Sequence, residues 1–213
     1  MREIITKVYT FNELSDQAKE KAREWYRHTL SSDDYCAECT IKDADTIAAL
    51  FGLAIDRHDV RLVGGKTRQD PSIWWQLGYG QGDGAAFDGV YTYKKDALEA
   101  VKAYAPTDAR LHAIVEDLQK AQAPYLPRAG TLSAKCRSNH GRMCFTVEYT
   151  QGGVPVVDAT EIDEKSITAP LRDFARWIYD GIREEYECQN ADAQVDETIR
   201  VNGYEFTEDG KRA

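Results

Sequence analysis

The sequence lacks any long apolar run and any secretory leader. No stretch approaches the roughly 18 apolar residues that a transmembrane helix requires. The first residues, MREIITKVYTF, include no apolar region followed by a small-residue cleavage site. We therefore expect a soluble protein of the cytoplasm that has no contact with membranes.

Basic charge is also scarce. The 27 lysines and arginines are outnumbered by 36 aspartates and glutamates, which gives a net charge of −9. Nucleic-acid binding depends on a basic face, because cations that neutralise phosphates supply most of the non-specific affinity. We therefore expect no direct binding to DNA or RNA.

The negative charge is concentrated near the end of the chain. Between Asp180 and Asp209, ten acidic residues face only Arg183 and Arg200, a balance of −8. Such a segment is typical of a solvated surface. It also fits a surface that docks on the basic groove of a partner protein, since complementary charge speeds association. The carboxylates predicted for that partner surface are Glu184, Glu185, Glu187, Asp192, Asp196 and Glu197.

Cysteine is sparse, with five residues in the chain. An odd count without a leader favours reduced thiols over a disulfide framework. A tetrahedral zinc site could in principle draw on Cys36, Cys39, Cys136, His140 and Cys144. The C-x-x-C pair falls on a predicted helix, however, and Cys136 and Cys144 have the even spacing of ordinary strand residues. We therefore predict no metal and no cofactor.

The pattern of apolar residues predicts one α+β domain spanning residues 1–213. Strands cluster in the middle of the chain, helices flank them, and the alternation of a parallel sheet is missing. The prediction is a central antiparallel sheet flanked by helices, with an acidic C-terminal helix and tail at about 170–213. The predicted strands are Arg2–Thr10, Leu53–Val63, Ser72–Tyr79, Ala86–Tyr93 and a hairpin of Thr131–Arg137 with Arg142–Thr150. The predicted helices are one capped by Asn12 or Ser15, Asp33–Phe51, Lys95–Tyr104, Thr107–Ala123, Pro170–Cys188 and a short one after Asp192.

A glycine-rich segment between Gly78 and Gly89 is the clearest landmark. Its backbone amides could cradle a phosphate, and Asp83 or Asp88 could hold a cation. The lysine of a phosphate-binding loop and the following helix are both missing, so a strand connection in a sheet is favoured. If the segment does bind a ligand or partner, the residues predicted to do so are Gln81, Gly82, Asp83, Gly84 and Phe87.

A turn containing His140 and Arg142 is the second candidate. Histidine in a turn can act as a general base, and a neighbouring arginine can bind an anion. No strand-turn-helix motif with a serine nucleophile accompanies the pair, so a solvent-exposed turn is the alternative. An enzyme would require Asp83, His140 and Arg142 to converge on one cleft.

A family resemblance is found in three stretches of the sequence. They are YTFNELSDQAKEKA at 9–22, GQGDGAAFDG at 80–89 and NGYEFTEDGK at 202–211. Together with the His140–Arg142 feature, they resemble small proteins encoded by bacteriophages and prophages, some of which are labelled antitoxins of toxin–antitoxin systems. The resemblance runs from end to end, which implies a single domain, and it supplies no catalytic residues that could be carried over to this sequence.

The favoured function is therefore a phage-encoded, non-enzymatic accessory protein of the host cell cytoplasm. It would bind and inhibit a host factor through an acidic surface, for example a CRISPR or other defence complex. One alternative is a nucleotide- or metal-binding enzyme acting at the glycine-rich segment with His140 and Arg142. The other is an antitoxin that neutralises a toxin. Oligomeric state is left open.

Overall fold

The structure, a computed structural model, describes residues 7–30, 35–78, 80, 82–139, 141–156 and 163–213. It divides into two compact units. The smaller unit comprises Met1–Cys39 and Ile182–Ala213, and the larger unit comprises Thr40–Gly181. The single domain expected from the sequence stays a prediction.

The described residues form six α-helices and eleven strands. The helices are α1 (Asp16–Leu30), α2 (Tyr35–Phe51), α3 (Ala97–Tyr104), α4 (Ala109–Gln122), α5 (Glu164–Asn190) and α6 (Asp192–Val201). The first six strands are β1 (Tyr9–Thr10), β2 (Leu53–Ile55), β3 (Arg57–Arg61), β4 (Thr67–Pro71), β5 (Ile73–Gln76) and β6 (Gly84–Phe87). The remaining strands are β7 (Gly89–Thr92), β8 (Gly130–Asn139), β9 (Arg142–Gln151), β10 (Val154–Pro155) and β11 (Glu205–Phe206).

The smaller unit is built around an amphipathic first helix. Ala18 and Ala22 lie one turn apart on the buried face of α1, and Leu14, which precedes the helix, is buried with them. Two-stranded pairing of β1 with β11 brings the two ends of the chain together. The apolar core of the unit includes Phe11, Leu14, Ala18, Ala22, Val195, Ile199 and Phe206.

The larger unit contains a five-stranded antiparallel sheet in the order β10-β9-β8-β7-β2. Along β8, buried and exposed side chains alternate, so one face of the sheet is covered and the other is open. Tyr91 of β7, Phe51 of α2 and Phe174 of α5 meet on the covered face. The rings of Phe51 and Phe174 pack edge to face, with centroids 4.9 Å apart. The α+β fold with helices against an antiparallel sheet is confirmed.

Gln122, at the end of α4, is a buried polar residue that ties this helix to the sheet. Its side chain donates to the carbonyl of Gly130 at 2.7 Å and accepts from the amide of Leu132 at 2.8 Å. Buried polar groups are tolerated only when they are hydrogen-bonded. The side-chain amide of Gln122 therefore pairs with one carbonyl and one N–H group of β8.

Three backbone positions form a closed ring of hydrogen bonds at a corner of the larger unit. Asp56 donates to the carbonyl of Asp88, Asp88 donates to Ser72, and Ser72 donates to Asp56, at 2.8, 2.9 and 2.8 Å. These residues separate β2 from β3, β4 from β5 and β6 from β7. Two hairpins, β3–β4 and β5–β6, therefore both leave the ring and return to it.

Several predicted boundaries are corrected. The single strand predicted over Leu53–Val63 is wrong, because the chain turns at Asp56 and β3 pairs with β4, a strand that the sequence did not predict. Helix α5 begins at Glu164, six residues before Pro170, because Asp163 caps its first turn. Residues 2–6 of the first predicted strand lie outside the described residues.

Within the described part of the chain, no helix is both long enough and apolar enough to cross a membrane.

Candidate functional site

The glycine-rich segment is the connection of the β5–β6 hairpin. Register pairs Ile73 with Phe87 and Gln76 with Gly84, so the intervening residues form the turn. The carboxylate of Asp83 accepts hydrogen bonds from the amides of Gly78 at 3.1 Å and Gly80 at 3.2 Å. Amides that face a carboxylate of their own loop do not face a phosphate. The local geometry is therefore that of a self-capped turn.

Two residues of this segment serve the core. Phe87 is fully buried and packs edge to face on Phe174 of α5, with ring centroids 5.8 Å apart. A Cβ added to Gly89 would lie 2.4 Å from the carbonyl oxygen of Ala54, so only glycine fits between β7 and β2. Gly82 and Gly84 instead take positive φ angles of 109° and 157° in open space. The exposed part of the candidate site is thus limited to the turn itself.

The β8–β9 turn approaches the glycine-rich turn. A Cβ built on Gly141 would lie 3.7 Å from the carbonyl oxygen of Gly82. Arg142 is exposed beside it, whereas His140 and Gln81 lie outside the described residues. The two turns named by the sequence are therefore neighbours in the larger unit.

Asp88 anchors the β8–β9 hairpin near its turn, the part of the hairpin that approaches the glycine-rich turn. Its carboxylate accepts a hydrogen bond of 2.6 Å from the amide of Ser138. The sulfur of Met143 accepts another, of 3.2 Å, from the amide of Phe87. The carboxylate of Asp88, proposed from sequence as a cation ligand, thus caps a strand end.

The cysteines do not assemble into a metal centre in the described residues. No group of three histidine, cysteine, aspartate or glutamate side chains is placed to hold an ion there. Cys136 is buried and its register partner is Phe145, whereas Cys144 is exposed and pairs with Arg137. Neighbouring residues of a strand point to opposite faces, so these two thiols lie on opposite sides of the sheet. The side chain of Cys36 lies outside the described residues.

The acidic residues near the C-terminus fall into two groups. Asp192, Asp196 and Glu197 of α6 form ion pairs with Arg27, Arg23 and Arg200 respectively. These carboxylates are engaged within the smaller unit.

The second group lies on α5. Glu184 and Glu187 are exposed, and Glu187 has Arg183 at 3.7 Å. Glu185 is half-buried and accepts a hydrogen bond from Gln189 at 2.7 Å. Asp192 and Glu197 are exposed too, but each holds an arginine more closely than Glu187 holds Arg183. Among the described residues, Glu184 and Glu187 are therefore the exposed carboxylates of the six with the weakest ion pairing.

The base of the β3–β4 hairpin contains a serine and a histidine that sequence reasoning did not bring together. The Oγ of Ser72 lies 3.5 Å from Nδ1 of His58, and the His58 ring lies against Trp74 at a centroid distance of 4.8 Å. A nucleophile must reach its substrate. Ser72 is only 4% exposed, so the arrangement positions the hairpin and does not serve acyl transfer.

Asp70 is the register partner of His58, so serine, histidine and aspartate occur together here. Both carboxylate oxygens of Asp70 accept from Arg68, at 2.6 and 2.7 Å. This guanidinium lowers the pKa of Asp70. The carboxylate of Asp70 therefore pairs with Arg68. The sequence signal for this hairpin was the Gly64–Gly65 pair, which marks a turn.

A family model described as a domain of unknown function (DUF8835) matches residues 36–192. This match covers most of the chain, so the chain belongs to the DUF8835 family. It includes all of the larger unit and leaves out the stretches 9–22 and 202–211, which carry part of the resemblance to phage proteins. No curated protein and no solved structure matches the chain.

Proposed function

We propose that this member of the DUF8835 family is a non-enzymatic accessory protein of a bacteriophage or prophage that binds and inhibits a host protein. The observation that carries the proposal is the distribution of charge. The smaller unit holds one third of the residues and −7 of the net charge of −9. Such an excess favours docking on a basic surface, because complementary fields accelerate and orient association.

The residues assigned to the contact are the exposed carboxylates with the weakest ion pairing to described residues, since Glu187 has only the 3.7 Å contact with Arg183. Asp192, Asp196 and Glu197 hold arginines and stabilise the packing of α6. Glu184 and Glu187 on α5 face solvent and are the predicted contacts. A fitting partner has a basic groove, such as the nucleic-acid-binding groove of a CRISPR or other defence complex, a nuclease or a toxin. An antitoxin that neutralises a toxin would use the same chemistry.

Affinity capture tests the proposal. The tagged full-length chain is incubated with bacterial lysate at low and at high ionic strength, beside the variant Glu184→Gln/Glu187→Gln. We expect a stoichiometric protein partner that is released at high ionic strength, because salt screens exposed charge pairs. Recovery of this partner should fall roughly tenfold in the variant, because two of the contacting charges are removed.

The matched control is Glu116→Gln/Asp117→Asn, which removes two exposed carboxylates from α4 of the larger unit. Its recovery should equal that of the unmodified chain. Equal loss in both variants would show non-specific charge effects, and the absence of any salt-sensitive partner would remove the basis of the proposal.

A second candidate, nucleotide or metal binding at the glycine-rich turn with His140 and Arg142, draws support from the approach of Gly141 to Gly82. Ligands that bind the native state raise the melting temperature. Thermal shift with nucleotides and divalent cations, with Asp83→Asn as control, tests this function. A shift that persists unchanged in Asp83→Asn and in Arg142→Gln would exclude this turn.

A further inference from the structure

The hairpin of β3 and β4, called here the arm (residues 57–71), stands apart from the sheets. Within the described residues it pairs with no third strand. Its contacts at the base include the ion pair of Arg57 with Asp45 at 2.8 Å and the His58–Trp74 ring contact. Residues 61–69 are all exposed. A two-stranded ribbon buries little apolar surface, so the outer arm adds little to the stability of the unit.

The tip of the arm combines apolar and positive side chains. Val63 is fully exposed and Leu62 is 40% exposed. Arg61 and Lys66 flank them, and neither makes an ion pair with any described residue. The turn is held by backbone bonds, from Leu62 to Lys66 at 2.8 Å and from Gly65 to Leu62 at 3.1 Å. These four side chains, Arg61, Leu62, Val63 and Lys66, are defined as the tip.

The charge of the tip differs in sign from that of the molecule. Across the arm, four basic residues face two acidic ones, a balance of +2 in a chain of −9. Two cations without an ion pair to any described residue, beside two aliphatic groups, complement an apolar recess with carboxylates at its rim. The aliphatic groups gain free energy only where water is excluded, and the cations gain most from partly desolvated acidic partners.

A phosphate backbone or an anionic membrane fits these observations less well. Both are extended anionic surfaces, and the net charge of −9 opposes the approach of the whole molecule to them. A pocket on a protein presents its carboxylates locally. We infer that the tip of the arm inserts into an apolar pocket rimmed by carboxylates on the partner protein. This inference rests on the proposed function, because it assigns a second contact surface to the same partner.

Site-specific photo-crosslinking tests it. A benzophenone amino acid is placed at Val63 of the full-length chain, expressed in bacterial cells, and the crosslinked peptides are identified by mass spectrometry. Val154, 65% exposed on β10 of the same unit, is the control position. We expect a crosslink from position 63, and none from position 154, to a partner segment that contains apolar residues beside aspartate or glutamate.

Two variants sharpen the result. Arg61→Glu/Lys66→Glu should reduce the crosslink roughly tenfold by reversing the charge, and Leu62→Ser should reduce it while leaving the charge intact. All the substituted side chains are exposed, so an unchanged melting temperature verifies folding. If neither variant changes the yield, the inference is wrong.

The outcomes separate this inference from the proposed function. Crosslinks to nucleic acid or lipid, to a basic protein surface, or equally from both positions would overturn the arm inference. If capture that depends on Glu184 and Glu187 persists without a crosslink from position 63, the arm inference fails and the proposed function stands. If no protein partner is recovered by either method, both fail.

Discussion

Arg23 and Asp196 form a bidentate ion pair across 173 residues of sequence. Nε lies 2.6 Å from Oδ1, and Nη2 lies 2.8 Å from Oδ2. The two side chains are only 19% and 14% exposed. Such paired, partly desolvated bonds are among the stronger polar contacts. This pair joins α1 to α6 within the smaller unit.

Replacing Asp196 with asparagine should destabilise the chain near neutral pH. The hydrogen bonds from Arg23 lower the pKa of Asp196 in the folded state. The resulting stabilisation is present above the pKa of the unfolded chain, about 3.9, and is lost as pH falls through the lower folded value. We expect a loss of about 2 kcal/mol in the free energy of unfolding at neutral pH, which shrinks in strong acid.

Urea denaturation at neutral and at strongly acidic pH measures this difference. The control is Lys120→Met, which removes an exposed ion pair with Asp117 and should change the free energy of unfolding by less than about 0.5 kcal/mol. A pH-independent effect of Asp196→Asn would contradict the assigned electrostatic origin.

The glycine-rich segment should tolerate substitution unevenly. Alanine at position 89 would place its Cβ against the Ala54 carbonyl, and we expect it to cost about 3 kcal/mol of stability. Gly80 has no atom nearer than 4.0 Å to such a Cβ and does not have a positive φ angle. Gly80→Ala should therefore be neutral within about 0.5 kcal/mol. Melting curves of the two variants measure their loss of stability. Equal losses in Gly89→Ala and Gly80→Ala would refute the packing explanation.

Asp83 should act on its own turn. In Asp83→Ala, the amides of Gly78 and Gly80 lose their acceptor, so their hydrogen exchange should accelerate by roughly tenfold while global stability changes little. Hydrogen exchange read by NMR measures this directly, with Asp117→Ala on α4 as the control. Unchanged exchange would mean that the carboxylate does not cap the turn in solution and is available for a ligand.

Cys136 should resist alkylation in the folded protein. Burial raises the pKa of its thiol to about 12, so almost no thiolate forms near neutral pH. Cys39, Cys144 and Cys188 are exposed and should react with iodoacetamide first. Peptide mass spectrometry with and without denaturant gives the order of labelling. Modification of Cys136 at the rate of Cys144 would show that β8 opens readily.

The helices could be predicted because their information is local. Ala18 and Ala22 on α1 repeat at the helical period, and the structure buries both. The same holds for Leu171, Phe174 and Ile178 on α5. The β8–β9 hairpin was also predicted from its alternation, but the four-residue turn was wrong, because Asn139 is the register partner of Arg142 and Arg137 pairs with Cys144.

The arm and the ion-pair pattern were not predictable in this way. The sequence of strand β4 is Thr-Arg-Gln-Asp-Pro, which has no apolar alternation. Backbone hydrogen bonds to β3 hold this strand, and its side chains bury little surface, so the sequence has no pattern of burial to show. The carboxylates of Asp192 and Asp196 looked like a free acidic surface because their partners, Arg27 and Arg23, lie far away in sequence. A run of acidic residues in the sequence shows only how many charges are present. The fold is needed to show which of them form ion pairs.

The backbone ring of Asp56, Ser72 and Asp88 has an evolutionary consequence. The arm and the glycine-rich hairpin each depart from this ring and come back to it, so the ends of each are fixed independently of its length. Descendants of this chain can lengthen, shorten or replace either hairpin while the sheet beneath keeps its register. The larger unit is thus a scaffold on which two neighbouring hairpins can diversify separately.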